Sequence, residues 1–202
     1  MTLKIEIKRK ALHMTGLTVP AVYLLFGKEV TVLFVSLALT VFLILEPFRT
    51  VEELRERIKK KLGIPEEIAN KIEKEIESIA REHEKRGIGA HIYFAAASLI
   101  IVLLFPREVA IGSIAVATLG DAVAAIVGKS FGNHRFKNGK SIEGSLSHFI
   151  VGLLILFPLV GFKIAIIGAF VGTLAEFYEV PPDDNFSSQL IIAITLYLLG
   201  VR

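Results

Sequence analysis

The sequence predicts an all-α, polytopic integral membrane protein with about seven transmembrane helices and one charged helical hairpin on the cytoplasmic side. Three observations carry this. Hydrophobic residues make up 53% of the 202 and mean hydropathy is +0.61, where a soluble domain of this size interleaves apolar and polar faces. Several apolar runs approach or exceed the roughly 18 residues that cross a ~30 Å hydrocarbon core. About half of the charged residues are gathered into one block between residues 49 and 86.

Taken in order, the spans are expected at 11–27, 30–45, 88–105, 109–128, 145–160, 163–177 and 187–200. The first comes after the basic MTLKIEIKRK and lacks a small-x-small cleavage site, so it reads as a retained span, not a signal peptide. Glycine and proline inside the spans (Pro20, Pro158, Gly168, Gly172) are tolerated where neighbouring helices satisfy the backbone. Residues 50–87 form the charged insertion, with Ile68, Ile72, Ile76 and Ile79 at helical spacing, suited to lying against the membrane surface. The rest of 1–202 is a single membrane domain.

With the N-terminus in the cytoplasm and alternating crossings, nineteen basic residues fall on the cytoplasmic side and four (Lys28, Arg107, Lys163, Arg202) on the other. This puts the loop after residue 128, the EPFR stretch at 46–49 and the acidic EVPPDDN at 179–185 on one face. The net charge of +3 is therefore topology and implies no nucleic-acid partner. Cysteine is absent, which excludes disulfides and thiolate metal sites. Its absence, with abundant Ile, Glu and Lys, fits a thermophile's habits, and a prokaryotic cell membrane is the expected location. A homo-oligomer is left open.

Chemistry concentrates in residues 120–145, GDAVAAIVGKSFGNHRFKNGKSIEGS. An acid in a span costs about 2.5–3.5 kcal/mol on insertion scales, so Asp121 demands a reason. At 100° per residue Gly128 and Gly132 return to within about 20° of it. Gly120, Ala124, Gly128 and Gly132 also form a small-residue ridge that helix packing alone would explain. Beyond it, Lys129 and Lys140 flank a basic loop, and Ser141, Glu143, Gly144 and Ser145 open the next helix, whose N–H groups and dipole suit phosphate oxygens. The spacing is not that of a Walker A loop. Asp184, in Asp183-Asp184-Asn185, supplies a second carboxylate on the same face, so Asp121 and Asp184 are the expected Mg²⁺ ligands, with phosphate oxygens completing the shell. Glu143, Asp183 and His13, the last three residues into the first span, are the candidate general bases. Glu176 is a further acid placed deep in its span.

These elements in order (Lys8-Arg9-Lys10, His13 and Gly16; Glu46 and Arg49; Gly120-Asp121 with Ala124, Gly128 and Gly132; Lys140-Ser141-Ile142-Glu143-Gly144-Ser145; Asp184-Asn185) resemble the CTP-dependent polyprenol kinases, a family of dolichol, phytol and diacylglycerol kinases. The resemblance touches most of the chain outside the charged insertion and departs from the family pattern at Gly139 and His148. It implies a membrane enzyme that moves the γ-phosphoryl of CTP to an isoprenoid alcohol with Mg²⁺. It also implies that Gly128, Lys129, Gly132, Lys140, Ser141, Gly144 and Ser145 hold the nucleotide, and that Asp121, Lys140, Glu143, Asp184 and His13 carry the chemistry.

The lipid cytidylyltransferases, which make CDP-diacylglycerol or CDP-archaeol, are similar in the same Asp-to-Glu-Gly region. They carry basic pairs where this chain has EFYEVPPDDN, which favours an uncharged alcohol as acceptor here. A transporter would also use intramembrane acids, but these acids gather with basic, glycine-rich loops at one face.

Overall fold

A computed structural model describes residues 3–63, 65–68, 70–71 and 87–202. The helices are α1 (Leu3–His13), α2 (Thr18–Thr50), α3 (Glu52–Leu62), α4 (Ala90–Leu104), α5 (Arg107–Ala115), α6 (Asp121–Phe131), α7 (Ile142–Val160), α8 (Phe162–Tyr178) and α9 (Asp184–Leu198). A 3₁₀ turn, Met14–Leu17, joins α1 to α2, and a π-helical turn, Val116–Gly120, joins α5 to α6. No β-strand occurs among the described residues.

The core is built around α5. Val109, Ala110 and Ile114 are fully buried there, and Leu156 of α7 and Ile192 and Leu196 of α9 close over them. Outside, the pattern inverts: Leu25 is 75% and Leu198 78% exposed, within a surface of leucine, isoleucine and phenylalanine side chains. An apolar exterior this extensive is unfavourable in water and natural in hydrocarbon. Polar groups are placed inside the bundle instead, as where Ser98 Oγ of α4 donates to Gln189 Oε1 of α9 at 2.8 Å. The molecule is a membrane protein.

Three runs of the described residues are long and apolar enough to cross a membrane: 5–50, 107–131 and 142–160. This is fewer than the seven crossings expected. Helices α4 and α9, with 15 residues each, reach only about 22 Å at 1.5 Å per residue, short of a ~30 Å hydrocarbon core.

The first run is not straight. In a continuous helix Lys10 and Arg49 would stand about 58 Å apart, yet both line one groove. The chain doubles back at Gly27, whose φ of 80° and ψ of −175° lie in a region essentially reserved for glycine. The spans expected at 11–27 and 30–45 thus meet at this break. At the same end of the bundle Lys28 Nζ donates to the Leu103 carbonyl at 2.8 Å. At the opposite end Arg49 Nη2 reaches the Gly87 carbonyl at 2.5 Å, and Glu46 accepts from the Gly89 N–H at 2.8 Å.

Of the predicted charged hairpin, α3 is described. It ends on Gly63 in the left-handed conformation, with Lys59, Lys60 and Lys61 in its last turn, where cations suit the helix dipole. The second half, including Ile72, Ile76 and Ile79, lies outside the described residues.

Replacing Gly27 by alanine tests the reversal. No atom lies within 4 Å of the position an added Cβ would take, so any effect is conformational. Gly27→Ala is expected to cost about 1–3 kcal/mol, read as a lower melting temperature of the detergent-solubilised protein.

Candidate active site

The site begins with a helix whose amphipathicity is reversed. In α1, Glu6 and Lys10 are buried, 3% and 2% exposed, while Leu3, Ile7 and Leu12 face outward. The charged face lies against α6. Lys10 Nζ donates to Asp121 Oδ2, and Lys129 Nζ donates to Glu6, which also pairs with Arg9 at 2.5 Å. The Nε2 of His13 stands 3.4 Å from the same Asp121 oxygen. Asp121 is therefore met by a lysine and a histidine from α1 and is not left alone in an apolar bundle.

The π-helical turn delivers this carboxylate. A π turn inserts an extra residue and re-aims the side chains of the helix after it, and such turns recur at functional sites. Here Asp121 is the residue directly after the turn, and Thr118 within the turn donates back to the Ile114 carbonyl at 2.7 Å.

The loop from α6 to α7 forms the opposite wall. Arg135 Nη2 donates to the Gly128 carbonyl at 2.8 Å, Asn138 Nδ2 to the Phe177 carbonyl at 3.1 Å, and Phe136 packs edge-on against Phe177. Glu143 accepts from His134 Nδ1 at 2.8 Å and from the Asn133 and His134 N–H groups at 3.2 and 3.3 Å. Lys140 turns inward to Glu176 at 2.5 Å and Glu179 at 3.1 Å. Burial works against its charge, but the carboxylates of Glu176, Glu179 and Asp121 outweigh that and raise its pKa above the ordinary lysine value.

Helix α7 starts at Ser141, whose Oγ accepts from the Gly144 N–H at 3.1 Å. The glycines make this approach feasible. A Cβ on Gly144 would lie 2.8 Å from the Ala124 carbonyl oxygen and 3.3 Å from Gly128 Cα, so the small-residue ridge of α6 packs directly on the first turn of α7. One turn on, the Ser145 hydroxyl is shielded from solvent and makes no hydrogen bond within the protein.

Together these elements enclose a cavity of about 360 Å³. Of the residues singled out in the sequence, Asp121, Gly128, Lys129, Lys140, Ser141, Gly144 and Ser145 line it, as does Glu176. Gly132 lies beside Ser141 outside that lining. Glu143 holds the loop, and Asp184 sits at the start of α9, accepting from Asn185 Nδ2 at 3.1 Å; neither lines the cavity. Asp183 caps α9. His13 borders a neighbouring apolar groove that also touches Lys10 and Asp121.

Glu6, Arg9, Lys10, Arg135 and Glu179 line the cavity without having been expected there. A signal for the first three existed. Glu6 and Lys10 are four residues apart, hence on one helical face, opposite Ile7. In water that face would be taken as solvated.

Comparison with known proteins agrees with the motifs. The chain is 27% identical over 141 residues, 60% of its length, to the CTP-dependent diacylglycerol kinase 1 of Schizosaccharomyces pombe. It is 30% identical over 147 residues, 61% of its length, to the "Probable phytol kinase, chloroplastic" of Triticum aestivum. The chain is related to the CTP-dependent lipid kinases. It spans 65% of the first relative and 49% of the second. An uncharacterized protein of Rickettsia prowazekii is 27% identical over 197 residues, covering 92% of this chain and 90% of that one. No family model matches the chain, and no solved structure does.

The Lys10–Asp121 pair is open to a double-mutant cycle. Removing one partner leaves the other charge buried, which typically costs about 3–5 kcal/mol. Lys10→Met is expected to lower thermal stability markedly, and Asp121→Asn added to it to restore a large part of the loss, in melting of the purified protein.

Proposed function

We propose that the protein is a lipid kinase that transfers the γ-phosphoryl group of CTP to a membrane isoprenoid alcohol of the polyprenol type. The carrying observation is the cavity itself: Arg9, Lys10, Lys129, Arg135 and Lys140 converge on it beside the first turn of a helix. That is the recognition chemistry of a polyphosphate. Similarity to a CTP-dependent diacylglycerol kinase and a probable phytol kinase supports CTP as the donor and a lipid hydroxyl as the acceptor. Nothing among the lining residues reads a cytosine ring.

The donor set also suits a hard cation. The cavity offers oxygen ligands, chiefly the carboxylates of Glu6, Asp121, Glu176 and Glu179, and no imidazole or thiolate lines it. Among the described residues no group of three such side chains could hold a metal alone. Mg²⁺ commonly uses one or two carboxylates plus substrate phosphates. Asp121 would be its protein ligand, and the ion would supply charge neutralisation on the β- and γ-oxygens. Asp184, outside the cavity lining, is the less suited of the two carboxylates expected from the sequence.

The residues then have distinct tasks. Lys10, Lys129 and Lys140 exchange their carboxylate partners for phosphate oxygens, and the α7 N–H groups with the Ser145 hydroxyl orient the chain of phosphates. Catalysis of this class is mostly alignment and charge stabilisation. The acceptor oxygen bonds to the γ-phosphorus as the bridging Pβ–O–Pγ bond breaks, CDP departs with the electron pair, and the hydroxyl proton passes to His13. Of the three candidate bases, Glu143 is engaged by the loop and Asp183 by its cap, whereas His13 stands beside Asp121 on the groove side.

Purified protein, Mg²⁺ and CTP labelled at either the γ- or the α-phosphorus test this with phytol or a short polyprenol. The γ-label is expected to move to the alcohol, with Lys140→Met and Asp121→Asn each slowing transfer by about 10²-fold or more. Transfer of the α-label to phosphatidic acid instead would make the protein a cytidylyltransferase.

A further inference from the structure

His148 of α7 has no task in the chemistry above, yet it is fully buried. Its ring is held from one side only. Thr173 Oγ1 of α8 donates its hydrogen to the Ala169 carbonyl at 2.8 Å, so the 3.1 Å contact between that oxygen and His148 Nδ1 is closed by a hydrogen on Nδ1. In the neutral ring Nε2 then carries a lone pair, shielded from solvent and met by no donor of the protein. Charging the ring would place a cation in the bundle with only a hydroxyl in contact, which is worse. An apolar side chain of similar volume avoids both penalties, so the imidazole is kept at a cost in stability.

What the ring touches gives the reason. Along one face of α7, at every fourth residue, His148, Gly152 and Leu156 meet the run from α5 to α6 at Gly120, Val116 and Gly112, which are also four apart. Large meets small at each point. A Cβ on Gly112 would lie 2.8 Å from Leu156 Cδ2, one on Gly152 3.3 Å from Val116 Cγ1, and one on Gly120 2.8 Å from His148 Nε2. The π turn Val116–Gly120 spans the interval between the contacts at Gly152 and His148. An extra residue in a helix rotates everything after it by about 100°, and these two contacts bracket that rotation. Val116 seats in the notch at Gly152, and the imidazole fills the place of a side chain at Gly120. Asp121 is the next residue.

We infer that His148 is a positioning residue: its ring, oriented by Thr173, wedges the end of the π turn and so aims Asp121 at Lys10 and the phosphate cavity. Stability is given up for geometry, as sites commonly require. The inference rests on the kinase reading for the reaction that Asp121 serves, but the aim itself is reported without turnover by the Lys10–Asp121 ion pair. His148→Leu removes both nitrogens at similar volume. Its melting temperature is expected to be unchanged or higher. The Lys10–Asp121 coupling, from the cycle of Lys10→Met and Asp121→Asn repeated in this background, is expected to fall to about half or less. In transfer assays kcat is expected to fall about tenfold or more with the KM for CTP changed less than about threefold, because the lysines still meet the phosphates and only alignment is lost.

A merely structural histidine would behave in the opposite way, lowering the melting temperature on replacement and leaving the coupling intact. Thr173→Val removes the hydroxyl that orients the ring. It is expected to weaken the coupling in the same direction, and it carries the test if His148→Leu does not fold. Undiminished Lys10–Asp121 coupling in either folded variant, or an unchanged kcat in His148→Leu, would overturn the proposal even if CTP-dependent phosphorylation is found. Weakened coupling in a protein that transfers no phosphoryl group would keep His148 as the residue that aims Asp121 and remove the kinase reading alone.

Discussion

Everything at the charged end of this molecule depends on one interaction, the buried contact between Lys10 of α1 and Asp121 at the start of α6. A lone carboxylate at that depth would be expelled or protonated. A lysine from a different segment removes the penalty and in doing so fixes α1 across the mouth of the bundle. Once α1 is there, Glu6 meets Lys129, His13 stands beside Asp121, and the cavity and the groove acquire a shared wall. The same pair gives the site its latent chemistry. A buried ion pair contributes little net stability against an apolar alternative, but its members can exchange partners when a polyanion and a cation arrive together.

The fold answers a second constraint, that in hydrocarbon the burial rule changes sign. Leucine and phenylalanine can remain outside, so the interior is given to small residues that let helices approach and to polar groups that satisfy one another. Ser98 to Gln189 on one side and the ridge of Ala124, Gly128 and Gly144 on the other are both products of that rule. The close packing of α6 on α7 then brings the Lys129 end of one helix to the N-terminus of the next, which is why a basic loop and a helix dipole share one small volume.

Much of this was legible in the sequence, for physical reasons. Asp121 stood out because an acid in an apolar run is costly, and the helical repeat put Gly128 on its face. Lys129, Lys140, Ser141 and Ser145 followed from the need of a helix start for anions. The features that stayed hidden required knowledge of which chain segments meet. Charges near a terminus, such as Glu6 and Lys10, are normally solvated, and only the packing of α1 reveals these two as buried. Gly128 stood in a ridge that helix packing explains, and with Gly144 it does pack α6 on α7 while both line the cavity. Glu143 resembled a site acid by position, yet its carboxylate is occupied in closing the loop on itself. The groove left no local trace at all: Phe34, Ala38, Phe42 and Phe94 look like any lipid-facing residues until the reversal at Gly27 brings α2 alongside α1.

The central claim is that three lysines, each held by a carboxylate, turn to a triphosphate. Titration calorimetry of the detergent-solubilised protein with CTP, CDP and CMP in the presence of Mg²⁺ tests it most directly, because it weighs the phosphates against the rest of the nucleotide. Affinity is expected to fall at each step from CTP to CMP, and the CTP advantage to shrink as salt is raised. Equal binding of CMP and CTP, or binding of none of the three, would contradict the assignment of this cavity to a polyphosphate.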